Sequence, residues 1–223
     1  MITFVIPTHN YGRFLKKCIT SIYKNNPKFV KEIIIVNDGS TDGTDLVIRK
    51  LKKKIKFKYY KKNFLSLPKT MNFAISKSRG NIICKIDADD FIENNFAIKM
   101  GNKFTELNSD FLYSNVIIRD KLSNNTFIKN QEVRSFFKLL KYPHGSGTLF
   151  KKSLWKKVDG FEEKNFYQDD YDFWLKINKL KKIKIRYCNL ALYNYHKHSS
   201  NMSDNLLKKN FTKIKILIQN LLK

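Results

Sequence analysis

Three carboxylates stand within four residues at Asp87, Asp89 and Asp90, directly after the apolar run Ile82-Ile83-Cys84-Lys85-Ile86. Crowded carboxylates repel one another, and a divalent cation is the usual partner that relieves the repulsion. The run ahead of them reads as a buried strand, and strand tips are where open α/β sheets take ligands. The chemistry implied is the holding of a metal-diphosphate. The competing reading is an acidic turn that caps the next helix, since Asp favours both positions.

Three further polar clusters fall at or after strand ends: Thr8-His9-Asn10, Asp38 within VNDGSTDGT, and later Asp169-Asp170. The elements that must position them alternate. Strands are predicted over 2–6, 32–36, 57–60 and 81–86. Helices lie between them, carrying Phe14, Leu15, Cys18, Ile19 and Ile22, then Leu46, Val47 and Leu51, then residues 68–78 up to the stop at Gly80. A βαβαβαβ order implies a parallel sheet with helices on both faces, and in such a sheet the C-terminal strand ends share one edge. Thr8, Asp38 and Asp87–Asp90 therefore converge, although dozens of residues separate them. The second half is mixed. Strands are expected over 111–118, 126–128 and 148–150, and helices over 132–140, 153–158 and 170–180, the last with Phe173, Trp174 and Ile177 inward. Residues 205–223 are apolar and basic at helical spacing.

The chain has 223 residues, 42% of them hydrophobic, enough for one domain with a full core. Its 44 Lys+Arg against 19 Asp+Glu give a formal charge of +25, which suits anionic partners or reflects compositional bias alone. Cys18, Cys84 and Cys188 lie far apart without CxxC spacing, which argues against a zinc site or a disulfide framework and for a reducing, cytoplasmic setting. The run 2–6 is too short for a signal peptide, and no stretch approaches the roughly 20 apolar residues that span a bilayer.

VIPTHNYGRFLKKCITSI (5–22), VNDGSTDGT (36–44), Lys69 through KIDADD (85–90), GFEE (160–163) with QDDYDFWLKI (168–177), and YNYHKHSSNMS (193–203) together resemble the family 2 glycosyltransferases of the GT-A fold. The resemblance spans about residues 1–203, with a nucleotide-binding half over 1–92, an acceptor-binding half over 93–203 and a C-terminal helix after them. It implies a Rossmann-like, mostly parallel sheet with a mixed acceptor-side half. It also implies transfer of a sugar, with inversion, from a nucleoside diphosphate, by family habit UDP, to an acceptor hydroxyl in glycan synthesis. Carried over residue by residue, Thr8 and Asn10 lie beside the nucleoside and Asp38 accepts a hydrogen bond from the base. Asp87 touches the ribose or the metal shell, and Asp89 binds Mn²⁺ or Mg²⁺. His196 faces the diphosphate or the metal, and Asp170 is the general base. Where the family often has Arg beside the residue matching Asn72, Met71 stands here, and Lys69 is the candidate cationic substitute. Asp169 stands where the family usually has Glu.

The chemistry requires these parts independently of the family. Departure of a nucleoside diphosphate builds negative charge that a cation stabilises, and an acceptor hydroxyl needs a carboxylate to remove its proton. Two other functions compete. A sugar-nucleotide pyrophosphorylase would want a Gly- and Arg-rich loop after the first strand, which PTHNYGRF does not supply. A basic nucleic-acid-binding module would use residues 49–62, where nine of fourteen are Lys or Arg, with Tyr59 and Tyr60. A solvated helix and strand face explains that run equally well. The tail 205–223 is expected either to lie on an anionic membrane near a lipid-linked acceptor, at the inner face of the cytoplasmic membrane, or to pack on protein.

Overall fold

The computed structural model describes residues 1–133, 141–165, 168–199 and 206–221. Its first half follows the alternation read from the sequence: β1 (Ile2–Thr8), α1 (Gly12–Tyr23), β2 (Val30–Asp38), α2 (Thr44–Lys52), β3 (Lys58–Lys62), α3 (Leu67–Ser76) and β4 (Ile82–Lys85). β1 pairs in parallel with both β2 and β4, and β2 with β3. The pleat sorts side chains onto two faces. Phe4, Ile6, Ile33 and Ile35 join Leu15, Ile19 and Ile22 of α1 in one core, whereas Val5, Ile34 and Val36 join Met71, Ala74 and Ile75 of α3 in another. Both faces are apolar, which is why these strands read as continuous hydrophobic runs.

The second half contributes β5 (Phe91–Ile92), α4 (Phe96–Glu106), β6 (Phe111–Asp120), β7 (Asn125–Lys129), β8 (Leu149–Lys151), α5 (Lys152–Lys157), α6 (Asp169–Lys179), β9 (Ile185–Lys197) and α7 (Leu206–Leu221). The strands run β3-β2-β1-β4-β8-β6-β9-β5, with β7 paired to β6 off that path. β8 is antiparallel to β4 and to β6, β9 is parallel to β6, and β5 is antiparallel to β9. The sheet is thus parallel on the β1 side and mixed beyond β4, as expected.

Three elements lie outside the expectations above: α4, β9 and the two-residue β5. The helix α4 buries Phe96, Ala97, Met100 and Phe104 but carries Gly101 mid-helix and several polar residues, so its periodicity is weak. Strand β9 shows irregular burial because its pairing with β6 shifts register twice. Of the helix expected over 132–140, residues 132 and 133 are not helical and 134–140 lie outside the described residues.

The three cysteines are buried and unbonded. Trp174 is core, edge-on to Phe111 and Tyr113, and Asp172 is buried beside Lys176 at 3.2 Å. The basic run 49–62 occupies α2 and the edge strand β3, where Lys58 pairs with Glu32 and Lys61 with Asp45, both at 2.6 Å. That is the solvated-face alternative, and lysines on an edge strand also oppose stray pairing. The tail helix packs on the protein: Ile216 is fully buried and Lys213 lies over the rings of Tyr142 and Tyr171. Phe211, Ile214 and Ile218, spaced by three and four residues, remain exposed along its other face. No helix among the described residues is long and apolar enough to cross a membrane.

Candidate active site

The tips of β1, β2 and β4 open into a cleft of about 940 Å³, whose lining includes Thr8, Asn10, Asp38, Asp87, Asp89 and Asp170. The parallel pairing of these strands makes the convergence expected from sequence real. Residues from the second half close the cleft: Val116 and Ile118 on β6, Phe127 and Lys129 on β7, Tyr142, His144, Gln168 and Tyr195.

The donor-side loops are knitted together by their own polar groups. Asn10 takes a positive φ of 59°, and its side-chain oxygen accepts from the Thr41 N–H at 2.7 Å. Its backbone N–H donates to Ser40 Oγ at 2.9 Å. Asp42 accepts from the Gly12 N–H at 3.0 Å, which ties the start of α1 to the β2–α2 loop.

Asp38 has a different task from the base contact assigned to it above. Its Oδ1 accepts the backbone N–H of Phe64 and Leu65 at 2.6 and 2.9 Å. Its Oδ2 accepts the Ser66 N–H at 2.9 Å and the Thr70 hydroxyl at 2.7 Å. These four donors occupy the roughly four lone-pair directions of a carboxylate that also lines the cleft. Asp38 instead fixes the loop ahead of α3 as a wall of the cleft. Thr8, by contrast, is 3% exposed, and its hydroxyl has no hydrogen-bond partner among the described residues. A ligand hydroxyl or carbonyl at the cleft floor would satisfy it.

Around β4 the acids separate by environment. Asp87 accepts a hydrogen bond from Ser146 Oγ at 2.6 Å and lies 3.5 Å from Lys85 Nζ. Burial pushes its carboxyl up, but Lys85, His144 and Ser146 overcome this and hold it below the usual carboxylate range. Asp89 faces the cleft with His198 Nε2 at 3.1 Å. Asp90 turns inward, accepting from the Tyr193 hydroxyl and from the His196 N–H. Burial, with Asp89 and Asp87 nearby, raises it well above the ordinary value.

One ligand atom each from Asp87, Asp90 and His144 can come within 4.8 Å of the others. Both Asp90 oxygens are already engaged and Asp90 does not line the cleft, whereas Asp87, Asp89 and His144 do. Two carboxylates with one imidazole fit Mn²⁺ well, and Mg²⁺ through its preference for oxygen.

His196, assigned to the diphosphate or metal above, sits behind the cleft. The His196 backbone is held by Asp90, and its ring lies edge-on to Phe14 of α1, with centroids 5.4 Å apart. It does not line the cleft. The histidines beside the acids are His198, at Asp89, and His144, which faces Asp87 from a loop more than fifty residues away. Lys69 is also displaced: it is half-exposed on the outer side of α3, 3.5 Å from Glu163. Thr70 is the residue of that turn that faces inward. Asn72 anchors the GFEE turn, donating to the Phe161 carbonyl at 2.9 Å and accepting from the Phe161 N–H at 2.9 Å.

The acidic pair at the start of α6 faces the donor acids across the cleft. Asp169 is buried; that burial, with Asp170 adjacent, raises its carboxyl to about 8 despite the nearby Lys85. Asp170 is partly exposed to the cleft, with both oxygens 3.4 Å from Lys85 Nζ. Burial would lower the Lys85 ammonium, but Asp170, Asp87 and Asp169 outweigh it and raise it above the usual lysine range. Gly145 packs directly against the Asp170 carboxylate: a Cβ there would lie 2.0 Å from Cγ. Gly147, at φ +79°, does the same for the Tyr193 ring. The segment His144-Gly145-Ser146-Gly147 thus touches Asp87, Asp170 and the Lys85 carbonyl together.

Sequence reasoning missed Lys85, His144, Ser146 and His198 as members of the site. A signal was present for the first: a lysine inside an otherwise apolar strand run must find acids if it is buried.

This arrangement defines an α/β protein of the GT-A type, and comparison with solved structures agrees. Staphylococcus aureus TarS in complex with UDP-GlcNAc superposes with a TM-score of 0.79 at 19% identity, over all of this chain and 66% of that one. The mannosyltransferase PcManGT of Pyrobaculum calidifontis, in complex with GDP-Man and Mn²⁺, gives 0.77 at 14% identity, over all of this chain and 64% of that one. The model of glycosyl transferase family 2 matches residues 3–159, and the chain belongs to that family. A glycosyltransferase of Rickettsia typhi is 27% identical over 194 residues, 82% of this chain and 60% of the relative. The chain therefore spans about three fifths of that relative's length.

Proposed function

We propose that the chain transfers a sugar from a nucleoside diphosphate donor, a UDP-sugar by preference, to an acceptor hydroxyl with inversion, and that it uses Mn²⁺ or Mg²⁺. The observation that carries this reading is the placement of Asp170 in one cleft with Asp87 and Asp89. One exposed carboxylate opposite a metal-binding pair is what a single displacement needs. Asp169 also lines the cleft but is buried with its carboxyl raised, whereas Asp170 is the more exposed of the pair, which favours Asp170 as the base. A covalent double displacement would need a second ionised carboxylate facing the same centre. The UDP-GlcNAc and Mn²⁺ carried by the two structural relatives support a donor and metal of the same kinds.

In the proposed reaction the nucleoside lies over Thr8 and against the loop that Asp38 fixes. Asp87, Asp89 and His144 are the residues that would hold the cation, which would supply stabilisation of charge on the departing diphosphate. Asp170 takes the proton from the acceptor hydroxyl as that oxygen attacks the anomeric carbon. The acceptor enters between β7 and the segment 142–145, where Phe127, Lys129, Tyr142 and Tyr195 supply apolar and hydrogen-bonding surface. Residues 1–92 form the donor half and 93–203 the acceptor half, with His144 and Ser146 crossing from the second half into the donor site. The acceptor is a glycan or lipid-linked hydroxyl. The exposed stripe of Phe211, Ile214 and Ile218 gives α7 a face that can rest on an anionic membrane.

A thermal-shift panel of UDP, GDP and their sugars, with and without Mn²⁺, tests the reading. Stabilisation by a sugar nucleotide that needs Mn²⁺ and disappears in Asp89→Ala is expected. Salt-dependent DNA binding with no sugar-nucleotide binding would overturn it in favour of the basic module. For the tail, low-salt sedimentation with anionic vesicles should pellet the full chain more than a form ending at Ser203. Equal pelleting removes α7 from that role.

A further inference from the structure

Lys85 is the least expected residue of the site. It ends β4, is 3% exposed, and the pleat turns it to the same face as Ile83, toward α6. Phe150, Phe173 and Trp174 line the small space it shares with Asp170, so water cannot surround its ammonium. Its Nζ lies 3.4 Å from Asp170, 3.5 Å from Asp87 and 3.9 Å from Asp169. A buried lysine must be paired with a carboxylate. This one is shared between both halves of the cleft, the proposed metal ligand on one side and the proposed base on the other.

We propose that Lys85 is a positioning residue that acts as a built-in counter-cation: it holds Asp170 in place for proton transfer and competes with the divalent cation for Asp87. The inference rests on the proposed metal-dependent transfer. The competition follows from geometry, since an ammonium 3.5 Å from Asp87 Oδ1 repels any second cation drawn to that carboxylate. The positioning follows from Asp170 being enclosed by Gly145 on one side and Lys85 on the other. The two tasks have opposite consequences when Lys85 is removed. Metal binding tightens because a repelling charge is gone, and transfer slows because the base is no longer held.

The test is Lys85→Met, which keeps the stem and removes the charge, with Lys85→Arg as the charge-retaining variant. Mn²⁺ affinity of the nucleotide-free protein, read by titration calorimetry, should tighten roughly tenfold or more in Lys85→Met. It should stay near wild type in Lys85→Arg. Turnover at saturating Mn²⁺ should fall roughly 10²-fold in Lys85→Met, with the donor dissociation constant within about threefold of wild type. A merely structural lysine would weaken metal binding, donor binding and turnover together. Unchanged or weaker Mn²⁺ binding by Lys85→Met overturns the inference. If Lys85→Met is unfolded without metal, Mn²⁺ must restore its fold, because the excess of buried negative charge is what unfolds it; failure to restore it also overturns the inference. Wild-type protein that binds no Mn²⁺ would instead refute the metal-dependent function itself.

Discussion

Replacing Gly145 with alanine should disable transfer while leaving the donor site intact. A Cβ at this position would lie 2.0 Å from the Asp170 Cγ and 2.2 Å from each carboxylate oxygen. Ordinary contact begins at 3.4 Å, so the carboxylate must retreat by at least about 1.4 Å. Asp170 has cleft in front of it, so its side chain can swing away from the new methyl group without disrupting the core. The fold is therefore expected to tolerate the change, and the base is not. A misplacement of about 1 Å at a reacting group costs on the order of 10²-fold in rate, or about 2.7 kcal/mol of barrier. The assay is steady-state release of nucleoside diphosphate with acceptor present, alongside donor affinity by calorimetry. The expected result is a turnover loss near two orders of magnitude with donor affinity unchanged. Gly43→Ala is the control, because a Cβ there meets nothing within 4 Å. Turnover of Gly145→Ala within threefold of wild type would refute the placement of Asp170 as base. Loss of donor binding in step with turnover would show that the segment 144–147 acts through the donor site instead.

Asp170→Asn should lose roughly 10²-fold or more in turnover with donor binding retained, and a dead Asp169→Asn beside an active Asp170→Asn would reverse the assignment within the pair. Asp38→Asn places an amide where four donors converge, and a stability loss of roughly 2–4 kcal/mol in urea denaturation is expected, with weaker nucleotide binding from the released loop. A variant as stable as wild type that binds nucleotide poorly would return Asp38 to the base. The Asp169 carboxyl is raised to about 8 in the fold, so the native state binds its proton more tightly than the unfolded chain does. Its contribution is unperturbed below the unfolded carboxylate range and becomes destabilising as pH rises toward 8, by up to about 1.4 kcal/mol per unit. Asp169→Asn should therefore raise the Tm of metal-free protein more at pH 8.5 than at pH 5. Equal shifts at both would show that Asp169 is not held protonated.

The cluster that carries the chemistry was visible in the chain because it is local. Asp87, Asp89 and Asp90 follow an apolar strand run, and the βαβ alternation requires their edge to be shared with Thr8 and Asp38. The same logic could not tell a ligand-facing acid from a loop-holding one. Asp38 differs from Asp87 only in what surrounds it: four donors of the segment 64–70 in one case, one serine, a lysine and open cleft in the other. Likewise His196 and His198 stand in one motif and both touch the Phe14 ring, but which of them meets an acid depends on how β9 pairs.

The sequence by itself determined the strand–helix alternation, the shared edge of the parallel strands, the acidic cluster and the family. Each is written in short-range periodicity and in motifs whose residues are neighbours in the chain. The tertiary structure alone decided which carboxyls are raised and which are lowered, which histidine faces which carboxylate, and that Lys85 joins the two halves of the cleft. Those properties depend on burial and on contacts between segments 59 to 109 residues apart, such as Ser146 with Asp87, Lys85 with Asp170 and His198 with Asp89. Desolvation and Coulomb energy respond to distance in space, and a one-dimensional pattern carries no record of that distance until the chain has folded.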